Sequence, residues 1–518
     1  MATEAKRTRL DVGKLPPEGG GGSGTQGADE LSFSGGPAAP ISAIHRNDSY
    51  FKQQYLDTTW QDNFRNRILP SSSDGTKFIF QLPKMDGTLH QYINYMLLFL
   101  RVKIVDKDGK VPENQLTIAP VNPAGQAVVG RVRMTANGTA IMDTAQHAYP
   151  ITSYMGQLLN NGRSRKRGIM QREGYYEDIY RPEQGPFGSE WDDFHANSGW
   201  DKRRRLFGIQ NKDAAVFQFK DDHYAHFNIP IHTEFRDTLP MVSRVGVTVE
   251  ITLSEPGFYL QCSRENWAKC KQKKYRYQVD YCHLKVPVRD MSPGPSLDLE
   301  KKLLKVPAEF NNVRMDVSKF LIPQGVKSFN TDQIKSFAVC PQRIAFMMIP
   351  DYLIEDDYGP SAFRSCPYVD EKWKVTKVGT AETYTPPDIK KRVYLSDAVL
   401  TINNQSLEDI NPIDHRMLQD EFFNILHNHL GLDNGDRGIS IEREDFINGK
   451  FIMLFDLTKS GRGYLGGGVR QEVKQGSVKI ALRFTDALPC NVYLFALAEY
   501  RSKVKVTAGR TVYYQYID

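Results

Sequence analysis

The chain has 518 residues with a formal charge of +6, is 40% apolar, and contains 27 Phe and 25 Tyr. That length exceeds one ordinary hydrophobic core and predicts two domains of about 200–250 residues, and the aromatic content is that of a globular, strand-rich protein. The small net charge excludes a global polyanion-binding character. The longest apolar run, MLLFL at 96–100, excludes a helical membrane span, and with no apolar leader the chain is expected to be soluble and intracellular when made.

Residues 1 to about 45 stand apart. KRTRLDVGKLPPEGGGGSGTQGADELSFSGGPAAP (6–40) is rich in Gly, Pro and Ser and poor in large apolar side chains. Such a segment buries too little surface to offset its ordering entropy, so a flexible arm is expected. Strand signals then dominate. KFIFQL (77–82) is bounded by Gly75 and Pro83, and LLFLRVKIV (97–105) puts Leu98, Leu100, Val102 and Ile104 on one face. VVGRVRMT (128–135) runs into Asn137-Gly138, a strong hairpin signal. VGVTVEITL (245–253) aligns Val245, Val247, Val249, Ile251 and Leu253. Two helices are marked. One begins near Pro150, with Ile151, Tyr154, Met155, Leu158 and Leu159 as its stripe and Gly162 as its stop. The other has Asn411 as cap, Pro412 in its first turn, Ile413, Met417, Phe422, Ile425 and Leu426 as its stripe, and Gly431 beyond its end.

These two helix starts, YPITSYM (149–155) and NPIDHRM (411–417), share Pro-Ile-x-x-x-Met. Further echoes keep the same order. VRMTANGT (132–139) and AVLTINNQS (398–406) precede the helices, each a strand ending in an Asn-rich turn. VEITL (249–253) and VKIAL (478–482) follow them, then FYL (258–260) and VYL (492–494). LLFLRVKIVDKDG and IAFMMIPDYLIEDDYG (344–359) correspond in place. Val249 lies 99 residues after Pro150 and Val478 lies 66 after Pro412, so the first half carries about 33 extra residues, expected within 163–215. A duplicated all-β unit is the expectation. Short strands joined by long, helix-bearing connections suit a jelly roll better than a meander.

GSVKIALRFTDALPCNVYLFALAEYRSKVKVTAGRTVYYQYI (476–517) resembles the C-terminal signature of capsid proteins encoded by Polinton/Maverick elements and adintoviruses. PMVSRVGVTVEITLSEPGFYLQ (240–261), YRYQVDYCHLKVPVRDMSPG (275–294) and NNVRMDVSKFLIPQGVKS (311–328) match its middle in order. The resemblance covers about 75–518. It implies an all-β double jelly-roll major capsid protein of virions, similar in plan to adenovirus hexon, that forms homotrimeric pseudo-hexagonal capsomers. The expected division is an arm at 1–45, a first jelly roll at 46–300 with a 163–215 insertion, and a second jelly roll at 301–518. The implied partners are further copies of itself and penton and minor capsid proteins, with packaged DNA a candidate partner through basic segments. Synthesis is expected in the host cytoplasm, with assembly there or in the nucleus. VNPAGQAVVG (121–130) and the 163–205 region depart from the family pattern. The alternatives are a single jelly-roll penton and a β-sandwich carbohydrate-binding module.

No catalytic, cofactor or metal site is expected. GRGYLG (461–466) satisfies a dinucleotide pattern but runs into a strand, GSVKIAL, where that site needs a helix N-terminus. His427 with His429, and His223 with His226 beside Asp221 and Asp222, lack zinc spacing. Glu355, Asp356 and Asp357 read as a solvated turn. Six cysteines (262, 270, 282, 340, 366, 490) form no C-x-x-C pair and are expected as free thiols, and the sequons at Asn47, Asn137 and Asn404 as silent. Three basic clusters are candidate nuclear-import or polyanion contacts: Lys6, Arg7 and Arg9; Arg163, Arg165, Lys166 and Arg167; and Lys202, Arg203, Arg204 and Arg205. Against that stands the plainer expectation of solubilising charge. The nearby Tyr175, Tyr176, Tyr180, Trp191 and Trp200 are expected to pack a long loop.

Overall fold

The computed structural model describes residues 60–112, 118–144, 148–160, 163–178, 198–207, 224–233, 240–262, 267–332, 334, 340–355, 363–372, 374–378, 381–385, 389–410, 415–428, 441–458 and 476–516. The predicted arm lies outside them. Eight strands frame two large sheets in the first half, to each of which one short strand (Leu89–Gln91 or Ser72–Ser73) is added: β1 (Trp60–Ile68), β2 (Lys77–Leu82), β3 (Leu97–Val105), β4 (Val129–Ala136), β5 (Thr139–Asp143), β6 (Ala225–Pro230), β7 (Val247–Leu253) and β8 (Arg276–Met291). Burial alternates along β2, β3, β6 and β7, as side chains on opposite faces of a strand require. Leu98, Leu100, Val102 and Ile104 of β3, and Val247, Val249, Ile251 and Leu253 of β7, point into the core.

β1, β8, β3 and β6 form one antiparallel sheet in that order, and β2, β7, β4 and β5 form the other. Leu284 of β8 pairs with Leu98 of β3, and Ile251 of β7 sits between Phe78 of β2 and Val132 of β4. Asn137 and Gly138 turn β4 into β5 with φ of 45° and 86°, the left-handed backbone that a tight hairpin needs and this pair adopts at little cost.

The second half repeats the plan with β9 (Ala308–Ile322), β10 (Ser328–Asn330), β11 (Arg343–Pro350), β12 (Val393–Ile402), β13 (Gln405–Ile410), β14 (Met453–Asp456), β15 (Val478–Phe484) and β16 (Val492–Val506). Its sheets run β9-β16-β11-β14 and β10-β15-β12-β13. Counted from the first strand of each set, both halves read 1-8-3-6 and 2-7-4-5. Asn403 and Asn404, with φ of 51° and 64°, make the turn that Asn137-Gly138 makes in the first half. A last strand, β17 (Val512–Tyr516), pairs with β16.

Helices fill the connections. α1 (Ala148–Asn160) follows β5; α2 (Arg163–Arg167) and α3 (Ser198–Arg205) come later in the same connection. α4 (Pro293–Leu303) joins β8 to β9, while α5 (His415–Asn428) and α6 (Arg443–Asn448) lie between β13 and β14. Thus α1 and α5 occupy the same place in the two halves, each after the fifth strand. No helix among the described residues is long and apolar enough to cross a membrane.

Three sequence expectations need correction. Phe258 and Tyr259 belong to a short helix, Pro256–Tyr259, ahead of the eighth strand, whereas Val492 opens β16; FYL and VYL are therefore not equivalent. Met155 is fully buried, but Met417 is 57% exposed, and Leu418 and Phe422 carry the buried face of α5. One residue turns a helix by about 100°, so shared letters need not share a face. Finally, Cys262 and Cys270 are joined in a disulfide, while Cys282, Cys340, Cys366 and Cys490 are free. The strand Leu260–Cys262 and the helix Trp267–Lys273 bring the two cysteines together, with their Cα atoms 6.7 Å apart, which spacing in sequence does not announce.

Candidate functional site

The two sets of strands meet at an aromatic seam. The ring of Phe363, from the second half, lies 5.0 Å from Tyr154 of α1 and 5.1 Å from Phe258, and all three are buried. Buried apolar residues of both halves therefore join in one connected cluster. A polar group flanks the seam. Lys450 Nζ is 3.2 Å from Glu177 Oε1 and 2.7 Å from Asp445 Oδ2, and Lys166 Nζ is 3.6 Å from the same Glu177 oxygen. Burial pulls the Lys166 ammonium down to about pKa 8, helped by the charge of Lys450 and opposed by Glu177. Burial also works against charge on Lys450, but Glu177 and Asp445 outweigh it and hold its pKa above the usual lysine value. A second link runs through Arg510, between β16 and β17. Its Nε donates to Ser243 O at 2.8 Å, and its Nη2 lies 2.5 Å from Glu300 Oε1. The first-half hairpin answers it: Asn137 Nδ2 donates to Arg510 O at 2.8 Å, and Thr139 Oγ1 to Val512 O at 3.0 Å.

The basic segments after α1 divide between surface and interior. Arg165 and Arg167 of α2 and Lys202 and Arg205 of α3 are exposed. Lys166, Arg203 and Arg204 are buried, a correction to their expectation as surface contacts. Arg203 Nε donates to Pro120 O at 2.8 Å, and its guanidinium also donates to Tyr176 O and, at 2.5 Å, to Asp178 Oδ1. Arg204 pairs with Asp201 at 2.6 Å, and Arg205 takes the other oxygen of that carboxylate at 2.7 Å. A guanidinium tolerates burial when its fork is met by carboxylate and carbonyl oxygens. Tyr175 and Trp200 are buried, as expected of residues that pack a long loop. Gly199 presses on the carbonyl of Glu177 and leaves no room for a Cβ.

The outer face of the β1-β8-β3-β6 sheet carries an aromatic patch. The Phe99 ring stacks 4.7 Å from His283 and 5.9 Å from His226, and Tyr281 lies 5.3 Å from His283. Burial first, and then Arg67 and Lys285, push the His283 pKa down to about 4, so the imidazole is neutral at pH 7. Sequence reasoning passed over His283 because a lone histidine in a strand carries no motif. His226 is exposed at the edge of this patch. Lys6, Arg7, Arg9, Asp221, Asp222, His223, Asp356, Asp357, His429 and residues 461–466 lie outside the described residues, as do Tyr180 and Trp191. For Arg163, Glu355 and His427 only the backbone is described, in each case helical. Among the described residues no three His, Cys, Asp or Glu side chains converge as metal ligands.

No protein-family model matches the sequence, and no curated protein matches it. Solved structures do. A chain of the Sputnik virophage, seen by cryo-EM, superposes with a TM-score of 0.55 at 11% identity, covering 92% of this chain and 93% of that one. The Faustovirus major capsid protein gives a TM-score of 0.52 at 8% identity, covering 90% of this chain and 92% of that one. This chain is a double jelly roll. In the double jelly roll the excess of the first half sits in one connection: 81 residues separate β5 from β6, against 42 between β13 and β14. The basic helices α2 and α3 belong to that connection, and their buried cations tie it to the roll beneath.

Proposed function

We propose that this chain is the major structural protein of an icosahedral viral shell, three copies of which close into a pseudo-hexagonal capsomer. The observation that carries the proposal is the strand order 1-8-3-6 and 2-7-4-5 written twice in one chain. Likeness over nine-tenths of the chain to the Faustovirus major capsid protein supports it. Three copies of two like rolls present six similar wedges, and a closed ring of six-sided outline tiles a hexagonal net. Cohesion then comes from apolar subunit interfaces larger than about 2,000 Å², as in obligate oligomers. A penton built on one jelly roll needs one such set of strands, and this chain carries two.

The sequence resemblance supports a place among Polinton/Maverick and adintovirus capsid proteins. On that basis the first roll spans 46–300 and the second 301–518, and the 1–45 arm orders against a neighbouring subunit. Residues 163–205 form an outer tower or a clasp between subunits. The role is structural, in the virion, with penton and minor capsid proteins as neighbours. Of the exposed cations, Arg167, Lys202 and Arg205 are left to meet packaged DNA or an import receptor, while Arg165 lines a cleft. Size-exclusion chromatography with light scattering should give a particle of about 177 kDa, three times the 59.0 kDa chain. Negative-stain images should show hexagonal plates. A monomer whose melting shifts with saccharide, or a pentamer, would overturn the proposal.

A further inference from the structure

A cleft of about 510 Å³ opens on the outer side of the β1-β8-β3-β6 sheet, where α2 and the helical turn Ile169–Glu173 come against it. Among the described residues five cations line it: Arg65 of β1, Lys285 and Arg289 of β8, Arg165 of α2 and Arg172 of the turn. The one carboxylate there among the described residues, Glu173, is buried and accepts a hydrogen bond from Gln126 Nε2 at 2.7 Å. Lys285 donates to the neutral Asn228 Oδ1 at 3.2 Å, and Arg289 lies 4.8 Å over the Tyr92 ring. Among the described residues Arg65, Arg165 and Arg172 form no ion pair, and the buried Nε of Arg172 has no hydrogen-bond partner. Burial, and then Arg165 and Arg65, lower the pKa of Arg172, with Glu173 acting the other way. Like charges brought together from three separate elements repel, and an anion placed between them relieves that repulsion.

We propose that this cleft binds a compact oligophosphate, free or carried on a nucleotide, through the guanidinium groups of Arg65, Arg165 and Arg172. Guanidinium forks match phosphate oxygens two at a time, and several forks converging from different directions suit a short chain of phosphates. The volume falls within the range of small-ligand sites, about 300–1,000 Å³. Binding needs no assembly of the shell, so it stands or falls apart from the capsid proposal.

The test is calorimetric titration of the full chain with tripolyphosphate. Binding should be saturable, and orthophosphate at the same ionic strength should bind at least about tenfold more weakly, as fewer charge-assisted hydrogen bonds form. Arg172→Gln and Arg165→Gln should each weaken tripolyphosphate binding about tenfold, and Arg172→Lys less so. Lys479→Gln, on β15 of the second roll, should leave it unchanged. Displacement of tripolyphosphate by adenosine triphosphate would make the nucleotide the carrier, and failure to displace would make the free oligophosphate the ligand; both support the site. Overturning results are no saturable binding, full affinity in Arg165→Gln and Arg172→Gln proteins that melt like the parent, or displacement by an oligothymidylate with a 5′-hydroxyl end.

Discussion

Glu177 stands between two lysines whose circumstances differ. Lys450 has Asp445 as well, whereas Lys166 shares Glu177 at a longer distance and faces the charge of Lys450. Removing a partner from a buried pair strands the opposite charge, so Lys450→Met should cost about 3–5 kcal/mol, read from the urea midpoint. Lys166→Met should be neutral or stabilising at pH 7, since it removes a poorly matched buried cation. The pH dependence has a definite sign. Lys166 has a folded pKa of about 8, below its unfolded value, so between the two the unfolded chain holds a proton that the folded chain lacks. The Lys166 contribution to stability should therefore rise with pH through that window and be absent in Lys166→Met. Burial also raises the pKa values of the free thiols Cys282, Cys366 and Cys490, which act oppositely as unfolded cysteine ionises at about 8.5, and of Tyr149 and Tyr259, which do so at about 10. These effects are common to both proteins, so the difference between their profiles between pH 8 and 9.5 isolates Lys166. Parallel profiles for the two proteins in that interval would contradict the assignment. Nothing local marks Lys166 as internal: in RSRKR it has the same neighbours as the exposed Arg165 and Arg167.

At the scale of elements, strands were the most legible part. Alternation along 97–105 and 245–253 predicted the buried faces of β3 and β7, because a half-buried strand must alternate. Asn137-Gly138 predicted a hairpin and Asn403-Asn404 a turn because their backbones accept positive φ. Helix faces were harder, as Met417 shows. The long β5–β6 connection is held by α3 through Arg203 and by the tight contact at Gly199. Arg203→Met should cost about 3 kcal/mol or more by taking from the buried Asp178 carboxylate its guanidinium partner, and hydrogen exchange should quicken across 170–178 and 198–207. Gly199→Ala should quicken exchange over the same residues, because a Cβ has no space there. Unchanged exchange in both proteins would mean that the connection is held by other contacts. Deleting 163–205 outright removes Glu177, Trp200 and Arg203 together, so it tests folding before it tests assembly.

For the whole molecule, the question is whether the two rolls act as one body. Phe363 reaches from the second roll to Tyr154 and Phe258 of the first, and Arg510 reaches back to Ser243 and Glu300. Truncating a buried aromatic typically costs about 3–5 kcal/mol. Phe363→Ala should lower the melting temperature and, by loosening the seam, separate the two rolls into distinct calorimetric transitions. A mutant that melts like the parent would show that the seam carries little of the coupling. A rigid pair of rolls is also what a hexagonal capsomer needs, since a hinge between them would spoil the six-fold outline.

The sequence by itself determined the buried faces of strands such as 97–105 and 245–253 and where the Asn-bearing turns fall, because each rests on periodicity or backbone preference within a few residues. It also signalled, through echoes kept in the same order along the chain, that one β-unit is written twice. Tertiary structure decided which arginines of KRRR are internal, that Cys262 meets Cys270, how the rolls are joined, and that five cations share a cleft. Those outcomes depend on which distant segments the sheets bring together. Lys450 and Glu177 are 273 residues apart in the chain and 3.2 Å apart in the fold, a proximity that no local pattern encodes.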